Sequence, residues 1–181
     1  MPNKLLLEKY AKLAVVTGAN VQPGQLVVLR TTTEAVELTR EVARQAYLAG
    51  AKKVHIVWGD EIISKHAYDH AQTEDLKEMP QYQIDQYKYF VEQNAAFISI
   101  VSPIPNALAG VDGKKMQEVM VASSKNLQFF REHTMGNRSQ WTIVAASNVS
   151  WATKLFPDLK EDEAVEKLWN AIFNACRVTL D

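Results

Sequence analysis

The sequence has little of what marks a secreted, membrane or nucleic-acid-binding protein. Its single cysteine, Cys176, excludes an internal disulfide and is typical of the reducing cytoplasm. No apolar run approaches the roughly 18 residues of a membrane-spanning helix, and the N-terminal stretch MPNKLLLEKYAKL becomes charged too soon for a signal peptide. A net charge of −1 lacks the basic excess of a nucleic-acid surface. We therefore expect a cytoplasmic protein without membrane or nucleic-acid partners.

Motifs for phosphate binding and for nucleophilic catalysis are also missing. The chain has no G-x-G-x-x-G loop and no G-x-S-x-G elbow. In AGVDGKK, Gly113 and Lys114 match the end of a phosphate-binding loop, but Lys115 replaces the Ser or Thr that holds magnesium. Asp112 is expected to cap the helix that follows. Cys176 continues a helical spacing of apolar residues, so we expect it in the core and not as a nucleophile.

Two histidines raise the question of a metal site. His66 and His70 lie four residues apart in KHAYDH, so a helix places both imidazoles on one face. In H-E-x-x-H zinc peptidases, a glutamate beside the first histidine is the general base, and a third residue completes the ligand set. Here the glutamate position is Ala67, and the other histidines lie on remote predicted elements. We therefore reject this pair as a metal site and expect two half-exposed surface side chains.

Alternating strands and helices indicate the fold. Four short apolar runs rich in β-branched residues predict strands over 25–30, 53–58, 95–102 and 140–146. Apolar periodicity predicts an N-terminal helix and further helices over 34–49, 60–71, 80–93, 112–133 and 158–177. Gly50 is expected to end the second helix, and Thr31 and Glu34 have capping-box spacing before it. The βαβ pattern predicts an α/β three-layer sandwich with a mainly parallel four-stranded sheet, order 2-1-3-4, and flanking helices.

Polar residues follow the predicted strands at the sheet edge where α/β proteins bind ligands. The candidates at this edge are Thr31, Thr32, Thr33, Asp60, Asn148 and Trp151. The three threonines precede a predicted helix, whose N-terminus can bind an anion. Two interpretations stay open: these side chains cap helices and pack loops, or they line a site for a small molecule.

The last third of the chain has the most distinctive pattern, in which WTIVAASNVSWATKLFPD is followed by EDEAVEKLWNAIFNACRV. Its marker residues are, in order, Trp141, Trp151, Ala152, Phe156, Pro157 and Trp169. With NVQPGQLVVLR, EVARQAYLAGAKKVHIVWGDE and LAGVDGKKMQ, these stretches span nearly the whole chain. They resemble the start of the thermophilic-type metallo-aminopeptidase family, the leucyl aminopeptidase-like group that includes aminopeptidase T and aminopeptidase S.

The resemblance implies a function for a longer protein. Members of that family are considerably longer than this chain, and two divalent metal ions, zinc or cobalt, activate a water that attacks the first peptide bond. The metal ligands belong to the C-terminal part of the family. The resemblance therefore implies that 1–181 is one α/β domain, the non-catalytic N-terminal domain of a metallo-aminopeptidase, with no metal or other cofactor of its own. The abrupt end of the pattern at ACRVTLD fits this expectation.

The same resemblance implies partners. The domain would pack on its own C-terminal catalytic domain, help to shape access of peptide substrates, and contribute to a homodimer. Trp169 with Phe173, and the loop of Trp151, are candidate docking surfaces because tryptophan is enriched at interfaces, and burial in the core is the other interpretation of each. Two alternatives for the function stay open. One is a freestanding flavodoxin-like domain that binds a small molecule or an anion at the strand ends, and the other is a freestanding peptidase that uses the histidine pair.

Overall fold

A computed structural model describes residues 2–180. The strands are β1 (Leu26–Thr32), β2 (Lys53–Gly59), β3 (Ala96–Val101) and β4 (Trp141–Ala145). The helices are α1 (Lys4–Lys12), α2 (Val36–Leu48), α3 (Glu61–His70), α4 (Thr73–Lys77), α5 (Gln81–Glu92), α6 (Gly113–Asn126), α7 (Gln128–Met135), α8 (Val149–Leu155) and α9 (Glu161–Ala175). A π-helical segment, Leu13–Gly18, extends α1. Within residues 2–180, no helix is long and apolar enough to span a membrane.

The four strands form one parallel sheet in the order β2-β1-β3-β4, which confirms the predicted fold class and strand order. The connection from β1 to β2 moves one way along the sheet, and that from β3 to β4 moves the other way. Right-handed crossovers then place α2 and the α6–α7 pair on opposite faces. The direction of winding changes between β1 and β3, where doubly wound sheets open a crevice.

Side chains of the central strands alternate between the two faces, because successive residues of a strand point in opposite directions. Val27 and Leu29 of β1 belong to a large core with α1, α2 and α9. Leu26 and Val28 belong to a smaller core with α5 and α7. Because helices cover both faces, the strand reads in sequence as a continuous apolar run.

The larger core is closed by aromatic residues from the two ends of the chain. Tyr10 of α1 meets the ring of Phe173 edge to face at 5.7 Å, and Trp169 stacks on the same ring at 5.3 Å. The Tyr10 hydroxyl donates to the carbonyl of Ala145 at 3.2 Å and accepts from its N–H at 3.0 Å. Burial raises the pKa of the Tyr10 hydroxyl well above its usual value. We call this side of the sheet the closed face.

The opposite side, which we call the open face, has a smaller aromatic core. Phe130 of α7 lies 5.1 Å from Phe97 of β3, ring centre to ring centre. The edge of the sheet extends past these helices. Val101, Trp141 and Ile143 keep 44%, 43% and 57% of their surface exposed. The register pairs Phe97 with Trp141, so the exposed side chains of β4 are on the same face as this core.

Three details of the helices differ from the sequence prediction. The helix expected over 112–133 breaks at Leu127, which lies outside the α-helical region (φ −107°, ψ 23°), and becomes α6 and α7. The final helix begins at Glu161 and not at Asp158. Cys176 is exposed and not buried, because α9 ends at Ala175 and Cys176 is its C-cap.

The expected capping box at the start of α2 does not form. Strand β1 continues to Thr32, a single 3-10 turn over Thr33–Ala35 follows, and α2 begins at Val36 without a side-chain cap. At the other end of α2, the predicted stop is correct. Gly50 has a φ of +92°, a left-handed conformation that glycine adopts without strain. Asp112 caps α6 as expected, accepting from the N–H of Lys114 at 2.8 Å.

Candidate functional site

The loops at the carboxyl ends of β1 and β2 are joined by a side-chain hydrogen bond. Thr33 donates from Oγ1 to Oδ2 of Asp60 at 3.1 Å. Asp60 also caps α3, since its Oδ1 accepts from the N–H groups of Ile62 at 2.9 Å and Ile63 at 3.0 Å. The hydrogen bond from Ile63 is the main cause that lowers the pKa of the Asp60 carboxyl. The polar atoms of this candidate pair are therefore used for local structure.

Asn148, after β4, is a buried cap that also ties two loops together. Its Oδ1 accepts from the N–H of Trp151 at 2.8 Å, at the start of α8. Its Nδ2 donates to Oγ of Ser102 at 2.9 Å and to the carbonyl of Pro103 at 3.0 Å, in the loop after β3. Glu61 makes the remaining link, because its Oε2 accepts from the N–H of Ile104 at 2.6 Å. The four strand-end loops thus form one hydrogen-bonded rim.

The other candidates at this edge are directed inward. Thr31 is buried, and its hydroxyl shares a hydrogen bond of 2.7 Å with Thr39 of α2. The hydroxyl oxygen of Thr32 is buried without a partner. Trp151 is half-buried against the larger core. The rim brings Thr33 together with Asp60 and Trp151 together with Asn148, but the threonines do not converge on one point.

The histidine pair lies on the surface of α3. The rings of His66 and His70 are nearly parallel, with centres 6.2 Å apart, and both side chains are exposed. The adjacent carboxylate, Asp69, is held by Lys65 at 2.6 Å, and this hydrogen bond is the main cause that lowers the pKa of Asp69. The side chain that could have joined the pair as a ligand is therefore engaged elsewhere.

The remaining histidines lie on other elements of the fold. His55 packs on the ring of Phe90 at 5.0 Å, and His133 belongs to α7. Within residues 2–180, no three His, Cys, Asp or Glu side chains cluster closely enough to hold a metal ion. Because a catalytic zinc needs at least three protein ligands, these residues do not fit a catalytic metal.

A basic cleft lies on the open face, and the sequence patterns did not predict it. Its volume is about 270 Å³. Its lining residues are Arg30, Tyr87, Ser123, Ser124, Leu127, Phe130, Arg131 and Thr134. The signal in the sequence was the arginine at the end of the apolar run QLVVLR, where a buried strand would normally continue with an apolar residue. The walls carry two guanidinium groups and no carboxylate.

A second cleft of about 270 Å³ lies on the closed face, beyond the ends of β1 and β4. Glu34 and Glu37 line one side, and Ser147, Asn148 and Trp169 line the other. The Ser147 hydroxyl donates to the carbonyl of Val165 at 3.1 Å. The side chain of Asn148 is already hydrogen-bonded within the rim. The polar groups of this cleft that remain available to a ligand are therefore mainly the two carboxylates, which are exposed to solvent.

Comparison with known proteins places the chain in a family. The family described as Thermophilic metalloprotease (M29) matches residues 3–181. The chain belongs to this family. This match confirms the resemblance inferred from the sequence.

Relatives within and around this family are aminopeptidases. The chain is 38% identical over 175 residues to aminopeptidase 2 of Geobacillus stearothermophilus, covering 97% of this chain and 42% of the relative. It is 38% identical to aminopeptidase AmpS of Bacillus subtilis, covering 97% and 43%. The solved structure of wild-type AmpT from Thermus thermophilus superposes with a TM-score of 0.86 at 32% identity, covering 94% of this chain and 43% of that one. The chain thus spans less than half the length of the relatives it matches.

Proposed function

We propose that this chain is the N-terminal, non-catalytic domain of a cytoplasmic, metal-dependent aminopeptidase that releases N-terminal residues from peptides. The observation that carries the proposal is the pattern of coverage. Nearly the whole chain matches proteins named as aminopeptidases, yet it accounts for only 42% of the length of aminopeptidase 2. In the whole enzyme, a pair of divalent metals would supply an activated water and polarise the scissile carbonyl. The ligands for that pair would lie outside this chain.

The role proposed for the domain is to dock on the catalytic half and to limit access to it. Of the two interpretations of Trp169 and Phe173, the structure supports burial in the core, since these residues are 4% and 1% exposed. The exposed apolar side chains of the open face, Val101, Trp141 and Ile143, support a different surface. Exposed apolar groups that lie close together are typical of interfaces, so we propose that the catalytic half covers this part of β3 and β4.

Activity and metal content of the purified chain test this proposal together. The chain should not hydrolyse leucine p-nitroanilide above the blank rate when zinc or cobalt is added. After incubation with zinc and dialysis, it should retain less than stoichiometric metal, and His66→Ala should retain the same amount. His133→Ala is the matched control, because it removes a histidine outside the pair. Two results would refute the proposal that this domain is non-catalytic. One is metal-dependent turnover by the chain. The other is one bound zinc per chain that is lost in His66→Ala but kept in His133→Ala.

A further inference from the structure

Arg30 is a cation in the middle of an apolar layer. It is half-buried on central strand β1, where its Nε and Nη2 donate to Oγ of Ser99 at 3.1 and 2.8 Å. Its guanidinium carbon lies 5.7 Å from the centre of the Phe130 ring. Among residues 2–180, no carboxylate forms an ion pair with it. A guanidinium removed from water costs free energy unless an anion or further acceptors compensate, and one hydroxyl uses only part of its five donors.

The wall opposite Arg30 is also basic and rich in hydroxyl groups. Arg131 of α7 donates from Nη1 to Oγ of Ser124 at 2.8 Å, and no ion pair within residues 2–180 includes it. Ser123, Tyr87 and Thr134 add hydroxyl groups to the same cleft. An anion entering this space would therefore meet two guanidinium groups and several donors without a carboxylate to repel it.

The cleft lies over the boundary between the two central strands. Arg30 and Ser99 are register partners on β1 and β3. These are the neighbouring strands between which the winding of the sheet reverses. The rim residues proposed from the sequence lie at the strand ends, whereas this cleft lies on the open face, where Arg30 contacts Ser99 and Phe130.

We propose that this cleft binds a small molecule that carries a phosphoryl group. Two guanidinium groups match the charge of a phosphate monoester, which is close to −2 at pH 7, better than that of a carboxylate. Leu127, Phe130 and the ring of Tyr87 give the cleft an apolar side that an organic substituent can contact. Its volume of about 270 Å³ exceeds what a phosphate ion alone would fill. This site does not depend on the peptidase role proposed above.

Calorimetric titration of the purified chain with inorganic phosphate, phenyl phosphate and acetate, at constant ionic strength and pH 7.5, tests the proposal. We expect one saturable site for both phosphate probes, with phenyl phosphate bound more tightly and acetate at least about tenfold more weakly. Arg131→Gln should weaken phosphate binding by at least about tenfold, because charge-assisted hydrogen bonds are lost. Arg131 is exposed, so this variant should fold normally. Arg30→Lys keeps the charge but loses the planar fork, and should also bind less tightly.

Arg138→Gln is the matched control for charge. Arg138 is exposed and lies outside the cleft, so this variant lowers the net charge equally and should bind phenyl phosphate as the wild type does. Equal weakening in Arg131→Gln and Arg138→Gln would reveal general electrostatic attraction and overturn the site. The absence of saturable phosphate binding in the wild type would also overturn it. Acetate bound as tightly as phosphate would show that the cleft accepts a carboxylate, such as a protein side chain, and would overturn the phosphoryl assignment.

Discussion

The two faces of the sheet are formed by the same strands but differ in how completely helices cover them. On the closed face, Val27 and Leu29 are fully covered, and Tyr10 and Phe173 pack against each other across the ends of the chain. On the open face, the buried core is smaller, Arg30 interrupts it, and the edge of the sheet is exposed. Burial of apolar surface is the main source of folding free energy. The closed face therefore carries most of the stability, which leaves the open face available for binding.

The largest expected effect comes from the closed face. Phe173→Ala should lower the free energy of unfolding by about 3–5 kcal/mol, because it removes a large buried side chain and leaves a cavity. Urea denaturation followed by circular dichroism measures this change. The matched variant on the open face is Trp141→Ala, which removes a larger but exposed ring. It should cost less, about 1–2 kcal/mol, because 43% of this residue's surface already contacts water in the folded chain. Equal losses in the two variants would break the distinction between the faces.

A smaller effect is expected from the hydroxyl that closes the same face. Tyr10→Phe should cost about 1–3 kcal/mol at neutral pH, because Ala145 loses both hydrogen bonds to its backbone groups. The raised pKa of Tyr10 also predicts how the free energy of unfolding changes with pH. Above about pH 10 the unfolded chain releases this proton before the folded chain does. Stability should therefore fall by about 1.4 kcal/mol per pH unit in that range.

Urea unfolding between pH 8 and pH 11 separates this contribution from the other tyrosines. Tyr10→Phe should lose stability less steeply above pH 10 than the wild type. Tyr82→Phe removes an exposed tyrosine and should retain the wild-type slope. A Tyr10→Phe curve parallel to the wild type across this range would mean that the hydroxyl is not held neutral by burial.

The smallest effect is expected at the rim, which belongs to neither face. The pKa of Asp60 is lowered in the folded chain, chiefly by the hydrogen bond from Ile63. Its contribution to stability is complete above its unfolded pKa of about 3.9 and is lost as the pH falls through the lowered folded value. Asp60→Asn keeps a capping oxygen without a titratable group, so its acid unfolding should lack this component.

Thermal unfolding between pH 2 and pH 6 provides the measurement for Asp60. Asp75→Asn is the control, since Asp75 is an exposed aspartate of α4 outside the rim. We expect the Asp75 variant to follow the wild-type curve throughout. If the acid branch of Asp60→Asn also superimposes on the wild type, the cap does not distinguish the ionised from the protonated carboxyl.

The sequence predicted the sheet better than the helices. The alternation of strands and helices predicted a parallel sheet, and right-handed crossovers leave few topologies open. The order 2-1-3-4 was a guess among these topologies, and the structure confirms it. The break at Leu127 was not predictable, since neither glycine nor proline stands near it in the sequence. The end of α9 before Cys176 was missed for a similar reason, because helical spacing continues past the residue at which the helix ends.

The candidate site was predictable only in part. Polar residues after strands located the rim correctly, but whether they cap a helix or bind a ligand depends on distances that a sequence does not contain. Thr33 and Asp60 are an example, since 27 positions separate them in the chain. The basic cleft combines Arg30 with Arg131, which are about a hundred residues apart, and only the fold brings them to one cavity.

The hydroxyl of Tyr10 also affects how edge strand β4 can pair with another copy of the chain. Strand β4 is an edge strand, and its outward N–H and C=O groups are a template on which a strand of another copy can pair. Tyr10 occupies both groups of Ala145 with a single hydroxyl, so this length of the edge is closed to a visiting strand. One side chain of the first helix thereby removes one pairing position from the last strand.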